Sequence, residues 1–210
     1  MARQARKRAA GSRKASGRRT TGQKPTRDRL REAALRLLAE RGWAGTTVAD
    51  IAAEAGVSAV EAAATFPSKA AILAEVQTWI DEQASAAKPG SGTVRDKLFE
   101  LLMRRFDALK PHKKAVRALA AGVCANPLAG LTAVPRLAKR LARSLDSAGA
   151  GAAWTAGPLK IQGLGLIYAN AFRVWLGDDT PDMSRTMAAV DRGLGRVESL
   201  ARLCPQRGNF

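Results

Sequence analysis

Along most of this chain apolar residues recur every three or four positions, the spacing that gathers one face of an α-helix. From Thr26 to Arg41, Leu30, Ala33, Ala34, Leu37 and Leu38 share a face, Arg29, Arg31, Arg36 and Glu40 lie elsewhere, and Gly42 follows as a stop. Two very short helices come next. Thr47 with Asp50 three residues on, and Ser58 with Glu61, have the form of capping boxes, and Ala55-Gly56-Val57 between them supplies a glycine turn. Pro67 ends the second short helix, and Ser68 caps a long one running to about residue 87. After the break Lys88-Pro89-Gly90-Ser91-Gly92, the pattern predicts helices at about 93–109, 112–125, 128–148, 156–177 and 182–203. Strand-type alternation and hairpin signals are missing throughout. The expectation is an all-α chain of about nine helices, in which short helix, glycine turn and short helix make a helix-turn-helix.

Composition agrees: 43 residues are Ala and 22 Leu, against 16 Val and Ile together. Charge alters the picture more. The formal net charge of +17 is unevenly spread, because residues 1–25 hold nine Arg or Lys, no acid, and no apolar residue larger than Ala except Met1. Such a segment buries too little surface to fold alone, and is expected to be a disordered basic tail. It is attracted to phosphate backbones whatever their sequence, although a solubilising tail has the same composition. From Thr26 to Lys69, six basic residues meet six acidic ones, so the helix-turn-helix module is neutral.

Other chemistry finds little support. The longest uncharged run, Ala118 to Pro135, is too broken by Asn126, Pro127 and Pro135 to span a membrane. Cys124 and Cys204 lack metal-type spacing and no secretory signal precedes them, so a reduced cytoplasmic setting is expected. The single histidine, His112, has no nucleophile or second ligand near it in sequence, while Asp178, Asp179 and Asp182 read as a polar turn and helix cap. No enzyme activity, cofactor or metal is expected.

The segments AALRLLAERG, GTTVADIA, EAGVS and FPSK stand in the order and spacing of the N-terminal DNA-binding domain of the TetR family of transcriptional regulators, which this region resembles. The resemblance implies an all-helical homodimer with three N-terminal helices on double-stranded DNA and a C-terminal domain for a small molecule. It divides the chain into the tail at 1–25, a helix-turn-helix domain at 26–70 and a ligand-binding and dimerisation domain at 71–210. It places the DNA-binding residues at Arg27, Thr46, Thr47, Ser58, Ala59, Val60, Ala63, Ala64, Thr65 and Lys69. The family's recognition helix commonly carries Thr and Tyr where this chain has Glu61 and Ala63, and from Val57 to Phe66 no Lys, Arg, Asn or Gln is present to bind a base edge. Ala59, Val60, Ala63 and Thr65 retain the capacity to touch thymine methyls, and weak or relaxed sequence reading is expected.

The C-terminal half is similar to TetR-fold proteins related to the coenzyme Q biosynthesis accessory protein, through Pro111, His112, Pro127, Trp175, Asp178, Asp179, Pro181 and Asp182. That similarity implies an alternative, a lipid- or quinone-binding accessory protein that has lost DNA binding. Helix faces alone nominate Phe99, Met103, Phe106, Leu119, Val123, Leu128, Leu131, Leu164, Tyr168 and Phe172 as the lining of an apolar ligand site, with Tyr168, Asn170 or Gln162 to orient a polar end. Gly163 and Gly165 are expected to admit a neighbouring helix closely. The final helix, beginning at Thr180-Pro181-Asp182, shows a stripe of Met183, Met187, Val190, Leu194, Val197 and Leu200 for a dimer four-helix bundle. Two basic clusters, Arg104/Arg105/Lys110/Lys113/Lys114/Arg117 and Arg136/Lys139/Arg140/Arg143, are expected to be solvated faces rather than a membrane surface.

Overall fold

The computed structural model describes residues 24–87, 90–124, 138–143, 146 and 158–203. The basic tail up to residue 23, together with Leu128, Leu131 and the side chain of Val123, lies outside the described residues. Every regular element within them is helical: α1 (Thr26–Arg41), α2 (Val48–Ala55), α3 (Ala59–Thr65), α4 (Lys69–Ser85), α5 (Val94–Leu109), a 3-10 turn (Lys110–His112), α6 (Lys113–Cys124), α7 (helical at 138–143), α8 (Pro158–Leu176) and α9 (Ser184–Leu203). The fold class and the order of elements are those read from the periodicity.

Local chemistry sets most helix starts. Thr47 and Asp50 form a reciprocal capping box at α2, as Thr93 and Asp96 do at α5, and Ser68 accepts from the Ala71 backbone at α4. Gly56 ends α2 in the left-handed region (φ 61°), where its amide donates to the carbonyls of Ala52 and Ala53. A Cβ there would also come within 3.1 Å of the Arg29 guanidinium, which donates to the carbonyls of Ala55 and Gly56 and so closes the end of α2 onto α1.

Two cores result, and α1 belongs to both. Leu30, Ala33, Ala34 and Leu37 pack with Ile51, Ala52, Ala62, Phe66 and Ile72 in the head. Leu35 and Leu38, on another side of the same helix, join the body core around Leu98, Leu102, Phe106, Tyr168 and Trp175. Helix α4 divides similarly, sending Ile72 to the head and Val76, Ile80 and Ala84 to the body. The leucines buried on two sides of α1 are therefore what couple the head to the body.

Helices α8 and α9 differ from expectation in three respects. The stripe on α9 points inward: Met183, Val190 and Leu194 are buried in the chain's own core, with Val197 packed against it. Gly193 permits a close approach, since its added Cβ would stand 2.8 Å from Ile167, whereas at Gly163 the nearest atom is 4.0 Å away and Gly165 is buried. Finally, α9 begins at Ser184 rather than at Thr180-Pro181-Asp182, with Met183 in the left-handed region (φ 54°) just before it. The cause is Asp178. Its carboxylate, 2% exposed, accepts from the backbone and hydroxyl of Thr180 and from the backbone and hydroxyl of Thr186, reaching past the turn into the helix. Lys113 donates to the Asp178 carbonyl and to the Asp179 carboxylate, so the turn is also clamped to α6.

Burial pushes the Asp178 carboxyl up, but the hydrogen bonds from Thr180 and Thr186 together outweigh it and hold it at about 2. A folded pKa below the unfolded value of about 3.9 gives stability that is present above pH ~4 and lost as pH falls toward 2. Asp178→Asn should lower unfolding stability at pH 7 by roughly 2 kcal/mol and flatten the acid limb between about pH 4 and pH 2. Urea denaturation of both proteins across that range checks this, and an unchanged acid limb contradicts it.

Candidate nucleic-acid interface

The Ser58 hydroxyl accepts from the Glu61 amide at 3.2 Å, and Ala62 and Phe66 anchor α3 in the head core. With those two residues turned inward, Ala59, Val60, Ala63 and Ala64 face solvent, Val60 at 82%. Thr65 is half-buried and donates to the Glu61 carbonyl, while Thr47 is exposed and donates to the Asp50 carboxylate. The outer face of α3 is thus methyl groups bordered by one carboxylate. The expected Ser58/Glu61 box forms only in half, because the Glu61 carboxylate accepts from the Thr26 hydroxyl at 2.7 Å instead of folding back on its own helix. A hydroxyl at the start of α1 wins over the local amide, and fixes Glu61 between α1 and α3.

Two nominated DNA contacts are otherwise engaged. Thr46 is fully buried and its hydroxyl donates to the Gly42 carbonyl at 2.8 Å, so its side chain faces the protein rather than a groove. The Lys69 ammonium donates to the carbonyls of Trp43 and Thr46 at 2.6 and 2.7 Å, and lies 4.4 Å from the centre of the Trp43 ring. It closes the loop between α1 and α2 onto the start of α4. Arg27 is exposed, 3.3 Å from Glu75 and over the Phe66 ring at 5.7 Å.

The remaining cations of the head follow suit. Arg29 is held by the two carbonyls at the end of α2, Arg31 by Asp28 and Glu75, Arg36 by Glu54 and Arg41 by Asp50. Neutrality over this segment was legible in the sequence; that each cation has an internal partner was not, because Glu75 and the α2 carbonyls lie far away along the chain.

In the body, Phe106, Leu164 and Tyr168 are fully buried, and Phe99, Met103, Leu119 and Phe172 pack partly buried against the same core. Phe106 and Tyr168 stack at 5.3 Å, and Phe172 lies 6.1 Å from Tyr168 and 5.8 Å from Trp175. Gln162 and Asn170 are exposed on the opposite side of α8, away from these residues, and so are not placed to orient a ligand among them. The basic clusters are only partly solvated faces. Arg105 is buried on Asp81, which also binds Arg140, and Arg104 is held by Glu100 and the Ala87 carbonyl. Among the described residues no group of side chains suits a metal ion, and no helix is long and apolar enough to cross a membrane.

Residues 30–76, from α1 into α4, match the family model of the bacterial regulatory proteins of the tetR family. The head matches that family model, and the chain has the fold of TetR regulators. A TetR transcriptional regulator from Nitrosomonas europaea superposes with a TM-score of 0.69 at 21% identity, covering 84% of this chain and 99% of that one. A TetR regulator from Rhodococcus sp. RHA1 gives 0.59 at 21%, over 82% and 95%, and one from Streptomyces coelicolor 0.56 at 21%, over 84% and 82%. No curated protein matches by sequence. The TetR head explains why GTTVADIA and EAGVS stand where they do: they hold Thr47 and Ser58 at the starts of α2 and α3, with Gly56 in the turn between.

If Lys69 serves as a clamp, Lys69→Met should lower unfolding stability by about 1–3 kcal/mol, since two carbonyls lose a charged donor. Denaturant titration measures that loss; a Lys69→Met protein as stable as the parent would contradict the clamp.

Proposed function

We propose that this chain is a DNA-binding transcriptional regulator, a homodimer in a cytoplasmic setting, whose body takes an apolar small molecule. The observation that carries the reading is the exposed, uncharged face of α3 within helix-turn-helix geometry, on a head that matches the TetR family model. Ala59, Val60, Ala63 and Ala64 present methyl groups of the kind that meet thymine C5-methyls in the major groove, while the basic tail supplies the sequence-independent attraction to phosphate. Specificity on this reading comes from apolar contact and groove shape, with Thr47 and Ser58 alongside at the helix starts. Boundaries near residues 25 and 70 separate arm, head and body.

The aromatic stack of Phe106, Tyr168 and Phe172, with Phe99, Met103 and Leu119 at its edge, favours an apolar ligand. Because α1 is buried in both cores, a ligand that shifts the body core moves the head with it, which is the coupling that regulation of DNA binding requires. For the dimer, the α9 stripe is already used within the chain, so a second copy would meet the outer face of α8, where Leu166 is 63% exposed between Gln162 and Asn170.

Two features favour a second reading. The absence of Lys, Arg, Asn and Gln from α3, together with the Asp178-Asp179-Thr180-Pro181-Asp182 turn, suits a TetR-fold accessory protein of quinone metabolism that no longer reads DNA. A co-purifying isoprenoid quinone, detected by native mass spectrometry, would support it; repeated recovery of empty protein from a quinone-producing host would count against it.

Fluorescence anisotropy on the protein's own upstream DNA tests the regulator reading, which fails if the full chain shows no preference over random duplex at physiological salt. At a bound site, replacing a contacted thymine by deoxyuracil should weaken binding roughly fourfold per methyl, from about 0.8 kcal/mol of apolar burial each. Val60→Ala should reduce that sensitivity at one base pair. Equal affinities for thymine and deoxyuracil duplexes would show that α3 does not read methyls.

A further inference from the structure

Between α1 and the start of α6 runs a cleft of about 640 Å³, at the junction of head and body. Its apolar lining is Leu35 and Ala115, both buried, with Ala39 and Pro111 exposed, and Arg36, Lys110, Lys113, Lys114 and Arg117 line it as well. Glu32 is the one carboxylate lining it, and that group is already held by Lys24 at 2.7 Å. Arg36 pairs with Glu54, and Lys113 and Arg117 share the single carboxylate of Asp179. Lys110 donates to a backbone carbonyl, that of Pro181, which carries no charge to balance it. The Lys114 side chain is exposed. Six cations including Lys24 therefore face three carboxylates around one concavity. His112, at its edge and packed edge-on against Trp79, adds no proton: burial, reinforced by nearby Arg31, lowers its pKa.

A concave site with excess charge of one sign concentrates counter-ions more than the same charges on a convex surface. Its volume is that of a metabolite site rather than of a macromolecular groove. Several ammonium groups beside apolar lining suit a compact multivalent anion, phosphate above all, joined to an organic body. We propose that this cleft binds a small phosphorylated molecule. The ligand would bridge Arg36 of α1 and the lysines that begin α6, fastening the head to the body at a second place besides the shared cores. This site is separate from the aromatic region of the body and does not depend on whether the chain reads DNA.

Isothermal titration of pyrophosphate into the full-length chain tests the proposal, without DNA present. The basic tail also attracts anions, so two variants with the same change in charge are compared: Lys114→Glu in the cleft and Arg18→Glu in the tail. Lys114 is exposed and its replacement spares both cores. Loss of one charge-assisted contact should weaken binding about tenfold in Lys114→Glu. Arg18→Glu, which removes the same charge from a residue that does not line the cleft, should change it less than about twofold. Equal weakening in both variants, or no saturable binding by the parent, would overturn the proposal. So would binding to phosphatidylglycerol vesicles that Lys114→Glu abolishes while pyrophosphate has no effect, which would make the cleft a lipid-surface contact.

Discussion

Helix α1 is buried on two sides, and the arrangement of head and body depends on that. A surface helix needs one apolar face, and sixteen residues could have satisfied either core alone. Here Leu30, Ala34 and Leu37 complete the head, Leu35 and Leu38 enter the body, and each set is almost wholly removed from water. Neither core closes without α1, so displacement of one is felt by the other. Helix α4 repeats the device with Ile72 and Val76.

The same economy governs charge. With helices this short, the head needs polar closures at its ends and loops, and its cations provide them: Arg29 on the end of α2, Lys69 on the loop after α1, Arg31 with Asp28 and Glu75. Exposed pairs such as Arg36 with Glu54 contribute little stability singly, but they lower the charge available to a polyanion. What is left on α3 is a surface of methyl groups beside Glu61. A chain with a net charge of +17 thus presents a recognition helix with no cation, and its surplus lies in the tail and the body, part of it around the cleft between α1 and α6.

How much was legible in the sequence follows from the range of each interaction. Helix order, the box at Thr47 and the stops at Gly42 and Gly56 depend on neighbours within four residues, and periodicity with local chemistry finds them. The cap at Ser68 belongs with them. The candidate site was legible only as far as α3 and its apolar face. Thr46 and Lys69 took other roles because Trp43, Gly42 and the α4 start meet in space, and Glu61 took Thr26, 35 residues away, over its own helix. Likewise α9 started late because Asp178 reached Thr186, and its stripe turned inward because α5 and α8 supplied a face for it. Amphipathic spacing tells that a helix has a buried side, and leaves open which chain buries it.

The central proposal is that, with the head's cations occupied within the fold, the tail is what holds nucleic acid. The slope of log affinity against log salt measures it most directly, since each phosphate contact contributes about −0.9. Neutralising the eight Arg and Lys of residues 1–23 to Gln should remove most of the slope of the full chain, whereas Arg27→Gln and Arg36→Gln together should leave it within about one unit. A slope that survives the first change and collapses with the second would contradict the account.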